Sequence, residues 1–235
     1  MSGRRDWALD QTTRRYGRAM ASDDFQRVLA DLSDEEFERL YGPLARLQPN
    51  EAAALLDGFP APWWIVGGWA IEAFTGDHRP HEDVDVCVLA RDVPMLLDHF
   101  LGTHHLWAAG AGMMCPLLTA SQRLPSWLNQ IWVRQDATQP WLLDVIVTPD
   151  REGRWVFRRD PTVVEDLERV TWLADDGITY QSPEITLAFK AALDRPKDTV
   201  DLEAALPRLG PAAVRWLRRT VARLHPDHPW IQRLQ

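Results

Sequence analysis

A chain of 235 residues and 26.9 kDa, 46% hydrophobic, holds enough apolar material for a sizeable core in one large domain or two small ones. Two cysteines, Cys87 and Cys115, exclude a disulfide framework, and no apolar run reaches the roughly 20 residues that span a bilayer. A formal net charge of -8 argues against a polyanionic partner such as nucleic acid; it serves solubility or suits a cationic small molecule.

The charged start, Met-Ser-Gly-Arg-Arg-Asp, leads into no apolar segment, so a cytoplasmic location is expected. Residues 1–20 are polar and Arg-rich and read as a loose arm. From Ser22 onward, Phe25, Val28, Leu29 and Leu32 recur at helical spacing. Ser33 opens a capping box with Glu36 at the reciprocal position. Phe37, Leu40, Tyr41 and Leu44 extend an apolar stripe suited to packing, which Gly42-Pro43 is expected to kink or restart. Asn50 is expected to cap a short helix over 51–56, closed by Asp57-Gly58.

The middle of the chain has mixed α/β character. Residues 63–66 read as a short buried strand, followed by Gly67-Gly68 and a helix over 69–74. Val84, Val86 and Val88 alternate with Asp83, Asp85 and Cys87, a strand with two distinct faces. Segments 131–134 and 141–147 flank a polar loop and predict a hairpin; 155–158 adds a further strand. Beyond residue 180 the pattern turns helical. Ser182-Pro183-Glu184 is a helix start, 198–206 suggests another helix, and Val214, Leu217, Val221 and Leu224 predict one more after Gly210-Pro211.

Residues i and i+2 of a strand share a face, so Asp83 and Asp85 project together, away from the valines. Two like charges that close both stay ionised only with a cation between them. Their spacing suits a shared Mg²⁺ or a two-metal pair, whose ions sit about 3.5–4 Å apart and link carboxylates to phosphate oxygens. Asp144, a single acid in an apolar strand, is the candidate third carboxylate. A glycine pair between strand and helix lets the backbone approach a ligand, and a helix start offers N–H groups to an anion. A triphosphate along Gly67-Gly68, with its metal ions on Asp83 and Asp85, accounts for the whole pattern. The plainer alternatives are loop acids beside a strand, a backbone-bonded Asp144, and a surface salt-bridge set of Lys190, Lys197 and Asp198. Zinc at His78, His81 and Cys87 lacks four ligands at structural spacing, and an EF-hand lacks its third acid and its glycine.

The stretches Gly-Gly-Trp-Ala and Arg-Pro-His-Glu-Asp-Val-Asp resemble the signature of the DNA-polymerase-β-like nucleotidyltransferase superfamily, most of all its small aminoglycoside and lincosamide nucleotidyltransferases. Residues 189–205 are similar to the Lys…Arg-Pro-Lys-Asp…Asp-Leu helix pair of its minimal members. The resemblance covers residues 52–205 and has one departure, a long spacer between Gly68 and Asp83. It implies an α+β fold: a small mixed-sheet nucleotidyltransferase core over 51–180, an N-terminal helical extension over 1–50 and a C-terminal helical region over 181–235.

By the same resemblance Gly67 and Gly68 contact nucleotide phosphates, Asp83 and Asp85 hold Mg²⁺, and Asp144 is the third carboxylate, as metal ligand or base. Arg79, His81 and Lys190 match positions near the triphosphate. The implied cofactors are Mg²⁺, expected as a pair, and an NTP donor, expected to be ATP. The implied reaction is transfer of AMP to a hydroxyl of a small, cationic acceptor, an aminoglycoside or lincosamide. A toxin-type enzyme that modifies tRNA or protein, and a non-catalytic nucleotide-binding homologue, are the alternative expectations.

Overall fold

The computed structural model describes residues 33–110, 113–125 and 127–235. The helical stripe expected between Ser22 and Leu32, and the loose arm before it, lie outside these residues. Ser33 caps helix α1 (Asp34–Tyr41): its hydroxyl accepts from Glu36 N, and Glu36 Oε2 accepts from Ser33 N at 3.0 Å. Gly42, at φ +91°, ends that helix rather than restarting it, and Leu44 leaves the stripe to bridge Trp141. Helix α2 (Pro49–Leu55) begins earlier than expected. Its cap is Gln48, whose N–H donates to Glu51 at 2.8 Å; Pro49, preset for a first turn, displaces Asn50 from the capping role.

Among the described residues eight strands form the main sheet, in the order β10-β11-β1-β2-β6-β5-β3-β4. They are β1 (Trp63–Ile65), β2 (Asp85–Leu89), β3 (His105–Gly110), β4 (Met113–Leu117), β5 (Gln130–Arg134), β6 (Trp141–Thr148), β10 (Thr171–Leu173) and β11 (Thr179–Gln181). A second sheet joins β7 (Asp150–Arg151), β8 (Arg154–Val156) and β9 (Val164–Glu165). The hairpin β5–β6 is antiparallel as expected, whereas β2 runs parallel to β6 and antiparallel to β1. Strands β3 and β4 escaped the sequence reading because "HLWAAG" and "MMCPL" carry little alternation to signal them. The expected strand over 155–158 stops at Val156.

Two apolar clusters lie on opposite faces of the sheet. Val84, Val86, Val88, Val145 and Val147 pack with helix α4 (Val93–Phe100) and with Ala52 and Leu56. Trp64, Cys87 and Leu89 pack on the other face with the short helix α5 (Leu167–Val170) and with helices α6 (Pro183–Ala191), α7 (Pro196–Ala205) and α8 (Pro211–Leu224). The valine–aspartate alternation therefore sorts side chains as its period demands, valines into one core and acids toward the opposite face. Ser182 does stand at the cap of α6, yet its hydroxyl turns to Arg169 O instead of the helix. Among the described residues no helix is long and apolar enough to cross a membrane.

Candidate active site

Helix α3 (Gly67–Thr75) starts two residues earlier than expected and contains both glycines in its first turn. Val66 caps it, and Val66 N donates to Asp85 O at 3.0 Å, tying the helix start to the first residue of β2. Gly67 sits at φ +71°, a region L side chains enter only with strain. A Cβ at Gly67 would stand 2.8 Å from Asp85 Oδ2, and one at Gly68 would run into Arg79 Nη2 and lie 2.8 Å from the His81 ring. The missing side chains thus make room for this chain's own Asp85, Arg79 and His81. That close approach draws the strand acid and the following loop up to the helix start.

Asp83 falls two residues before β2, outside the strand in which it was expected. Trp69 anchors it from α3: the indole Nε1 donates to Asp83 O at 3.0 Å, while the Trp69 ring stacks on His81 at 4.0 Å between centroids. Asp85 and Asp144 are direct register partners across the parallel pair β2–β6. Gln130, on β5, donates to Asp144 Oδ2 at 2.5 Å, and Asp144 Oδ1 is buried with no partner.

The acids press on one another. Burial first, and the Asp83 charge second, push the Asp85 carboxyl up to about 8. Burial, then Asp85 and Asp83, raise Asp144 well above the ordinary carboxylate range, and burial raises Asp83. Such strain is what a bound cation relieves, and an all-oxygen donor set suits Mg²⁺. Among the described residues no three His, Cys, Asp or Glu side chains form a ready-made cage for one ion. The buried, unpartnered Asp144 Oδ1 beside the Asp85 register position still fits a cation completed by ligands from outside the protein. The zinc alternative gains no support: His78 and His81 both bond Glu72, at 2.7 and 2.8 Å.

Asp83, Asp85, Gly67 and Gly68 line a cleft of about 530 Å³, the size of a small-molecule site. Arg79, His81 and Lys190 line it as well, so the structure brings the expected nucleotide-side residues to one cavity. Asp144 stands beside Asp85 in the register and is not among the residues that line the cleft. Lys190 and Asp198 do form the ion pair of the plainer alternative, at 3.2 Å, but it is buried; Lys197 pairs with Glu82 instead. Arg158 and Arg195 also line the cleft and were missed. Arg158 follows a strand with no local motif, whereas Arg195 sits in the quoted "DRPKD" segment and was open to recognition.

Residues 50–104 match the family model described as aminoglycoside-2''-adenylyltransferase, a segment that includes both glycines, Arg79, His81, Asp83 and Asp85. By this segment the chain is similar to a family of nucleotidyltransferases. Asp144 and Lys190 lie beyond the match. No curated protein matches the chain. Among solved structures it is similar to ANT(2'')-Ia in complex with adenylyl-2''-tobramycin, at 18% identity and a TM-score of 0.46, covering 74% of this chain and 95% of that one. It is similar to the lincosamide antibiotic adenylyltransferase LnuA, lincomycin-bound, at 15% identity and a TM-score of 0.47, covering 69% and 96%. An antigenic nucleotidyltransferase-like protein from Paracoccidioides brasiliensis is also similar, at 17% identity and a TM-score of 0.41, covering 86% and 93%.

Proposed function

We propose that this protein is a nucleotidyltransferase that moves AMP from ATP to a hydroxyl of a small cationic acceptor, an aminoglycoside or lincosamide, in a Mg²⁺-dependent reaction. The observation that carries the reading is the register pairing of Asp85 with Asp144 beside the glycine-opened helix, at a cleft lined by Arg79, Lys190 and Arg195. The net charge of -8 favours a cationic acceptor over a nucleic acid.

Asp83, Asp85 and Asp144 would hold Mg²⁺, with phosphate oxygens completing its shell. When bound, Mg²⁺ aligns the reactants and neutralises charge developing on those oxygens. Gly67 and Gly68 bring backbone N–H groups to the polyphosphate, and Arg79, His81 and Lys190 face it from the cleft wall. The acceptor hydroxyl gives its proton to the carboxylate cluster, in which Asp83 and Asp85 face the cleft and Asp144 lies beside Asp85. The acceptor oxygen then bonds to the α-phosphorus, the α–β phosphoanhydride bond breaks, and pyrophosphate leaves.

Incubation with labelled nucleoside triphosphates, Mg²⁺ and a panel of aminoglycosides and lincosamides tests the reading. A labelled antibiotic is expected; no transfer to any acceptor overturns the acceptor class. A second expectation concerns Trp69→Phe, which keeps the ring but removes the donor to Asp83 O. It should raise the Mg²⁺ concentration for half-maximal rate by about tenfold or more, as loss of a supporting contact to a metal ligand does. A Mg²⁺ titration of the transfer rate reads this directly, and an unchanged midpoint would show that Trp69 contributes packing alone.

A further inference from the structure

Five charged groups stand in a row at the cleft, Arg79, Lys190 and Arg195 on its wall with Asp201 and Asp198 alternating between them beneath it. Asp201 accepts from Arg79 Nε at 2.9 Å, from Arg79 Nη2 at 3.2 Å and from Lys190 Nζ at 2.7 Å. Asp198 accepts from Lys190 Nζ at 3.2 Å, from Arg195 Nε at 2.9 Å and from Arg195 Nη2 at 3.1 Å. The two acids stand three residues apart on α7 and so share a face of that helix. Side-chain exposure is 0% for Asp198 and 3% for Asp201, against 24% for Arg79 and 43% for Arg195. The three cations line the cleft; the two carboxylates do not.

A carboxylate with no solvent exposure is costly unless it is paired, and each of these two grips a pair of cations. The bonds from Arg195 and the Lys190 charge outweigh burial and hold Asp198 below the usual carboxylate range. Long Lys and Arg side chains lose much rotamer freedom on ordering. Here that cost is met within the fold, before any ligand arrives, and one positive charge remains in excess over the two acids.

We propose that Asp198 and Asp201 are positioning residues that hold Arg79, Lys190 and Arg195 as a preformed ladder for the polyphosphate chain of the donor. The inference rests on the nucleotidyl-transfer reading of the same cleft. Neither acid touches the reacting atoms; each acts through the cations it aligns. The role makes a prediction opposite in sign to simple charge counting. Asp201→Asn makes the cleft one charge more positive, which by long-range attraction strengthens anion binding. Loss of alignment instead weakens it, because the freed side chains must be ordered again at binding.

The test is equilibrium binding of inorganic tripolyphosphate in EDTA, with KM and kcat for the nucleotide measured alongside. For Asp201→Asn, tripolyphosphate affinity is expected to fall at least tenfold, and the kinetic loss to fall mainly on KM. Arg79→Lys keeps its charge but not the two-atom grip on Asp201, and carries the same expectation should Asp201→Asn fail to fold. Unchanged or tighter tripolyphosphate binding in both variants overturns the positioning role and leaves nucleotidyl transfer standing. A wild type that binds tripolyphosphate but transfers no nucleotide overturns only the functional reading, and one that binds none in EDTA overturns the ladder alone, since nucleotidyl transfer is read as requiring Mg²⁺.

Discussion

Asp85→Asn is expected to abolish nucleotidyl transfer, by about a thousandfold or more, while making the metal-free protein more stable at alkaline pH. The loss follows from removing one of the facing carboxylates that would hold the metal, comparable to losing one element of preorganised charge stabilisation. The stability gain follows from linkage. The Asp85 carboxyl is pushed up to about 8 in the folded protein, against about 3.9 in the unfolded chain. Between these values the folded state retains a proton that the unfolded state has released. Its contribution to stability is therefore fully present below about pH 4 and is lost as the pH rises through 8, by up to about 1.4 kcal/mol per pH unit. Asparagine carries no such proton. Thermal melts in EDTA at pH 5 and pH 8 should show wild type losing more between the two than the variant does. If Asp85→Asn melts at or below the wild-type temperature at pH 8, the carboxylates are not electrostatically strained.

Gly67→Ala is expected to damage both stability and transfer. At φ +71° a side chain costs about 1–2 kcal/mol in backbone strain. The new methyl would also stand 2.8 Å from Asp85 Oδ2, so the carboxylate must shift. Displacement of a catalytic group by about 1 Å costs on the order of a hundredfold in rate. The two effects separate experimentally: denaturant melts report the strain, and saturating-substrate rates at a temperature where the variant is fully folded report the displaced carboxylate. Full activity in the folded variant would mean that Asp85 tolerates the move.

The period-two alternation around Asp83 and Asp85 was legible because a strand assigns faces by parity, and β2 obeys it from Asp85 onward. The strand was begun two residues too early, at Asp83, because nothing local marks where pairing begins. The glycines were legible as a special position, yet the reason found is different in kind. Their empty space is taken by Asp85, Arg79 and His81 from elsewhere in the chain, and no local pattern announces a contact with a residue many positions away. The hairpin β5–β6 was visible through its polar loop, whereas the parallel pairing of β2 with β6 was not, since a crossover leaves no turn signature. Lys190 shows the same limit. Its sequence context allowed a phosphate ligand or a salt bridge, and the fold makes it a bridged cation on a cleft wall, compatible with both.

Local chemistry alone thus identified a strand–helix–strand unit bearing a glycine pair and paired acids, and it identified the starts of α1, α6 and α8, because capping, parity and backbone freedom act over a few residues. Only the folded chain decided that Asp144 faces Asp85, that Asp198 and Asp201 clasp three cations, and that these groups border or back one cleft. Those outcomes depend on register and packing between segments tens of residues apart, where burial and charge pairing, rather than local propensity, select the arrangement.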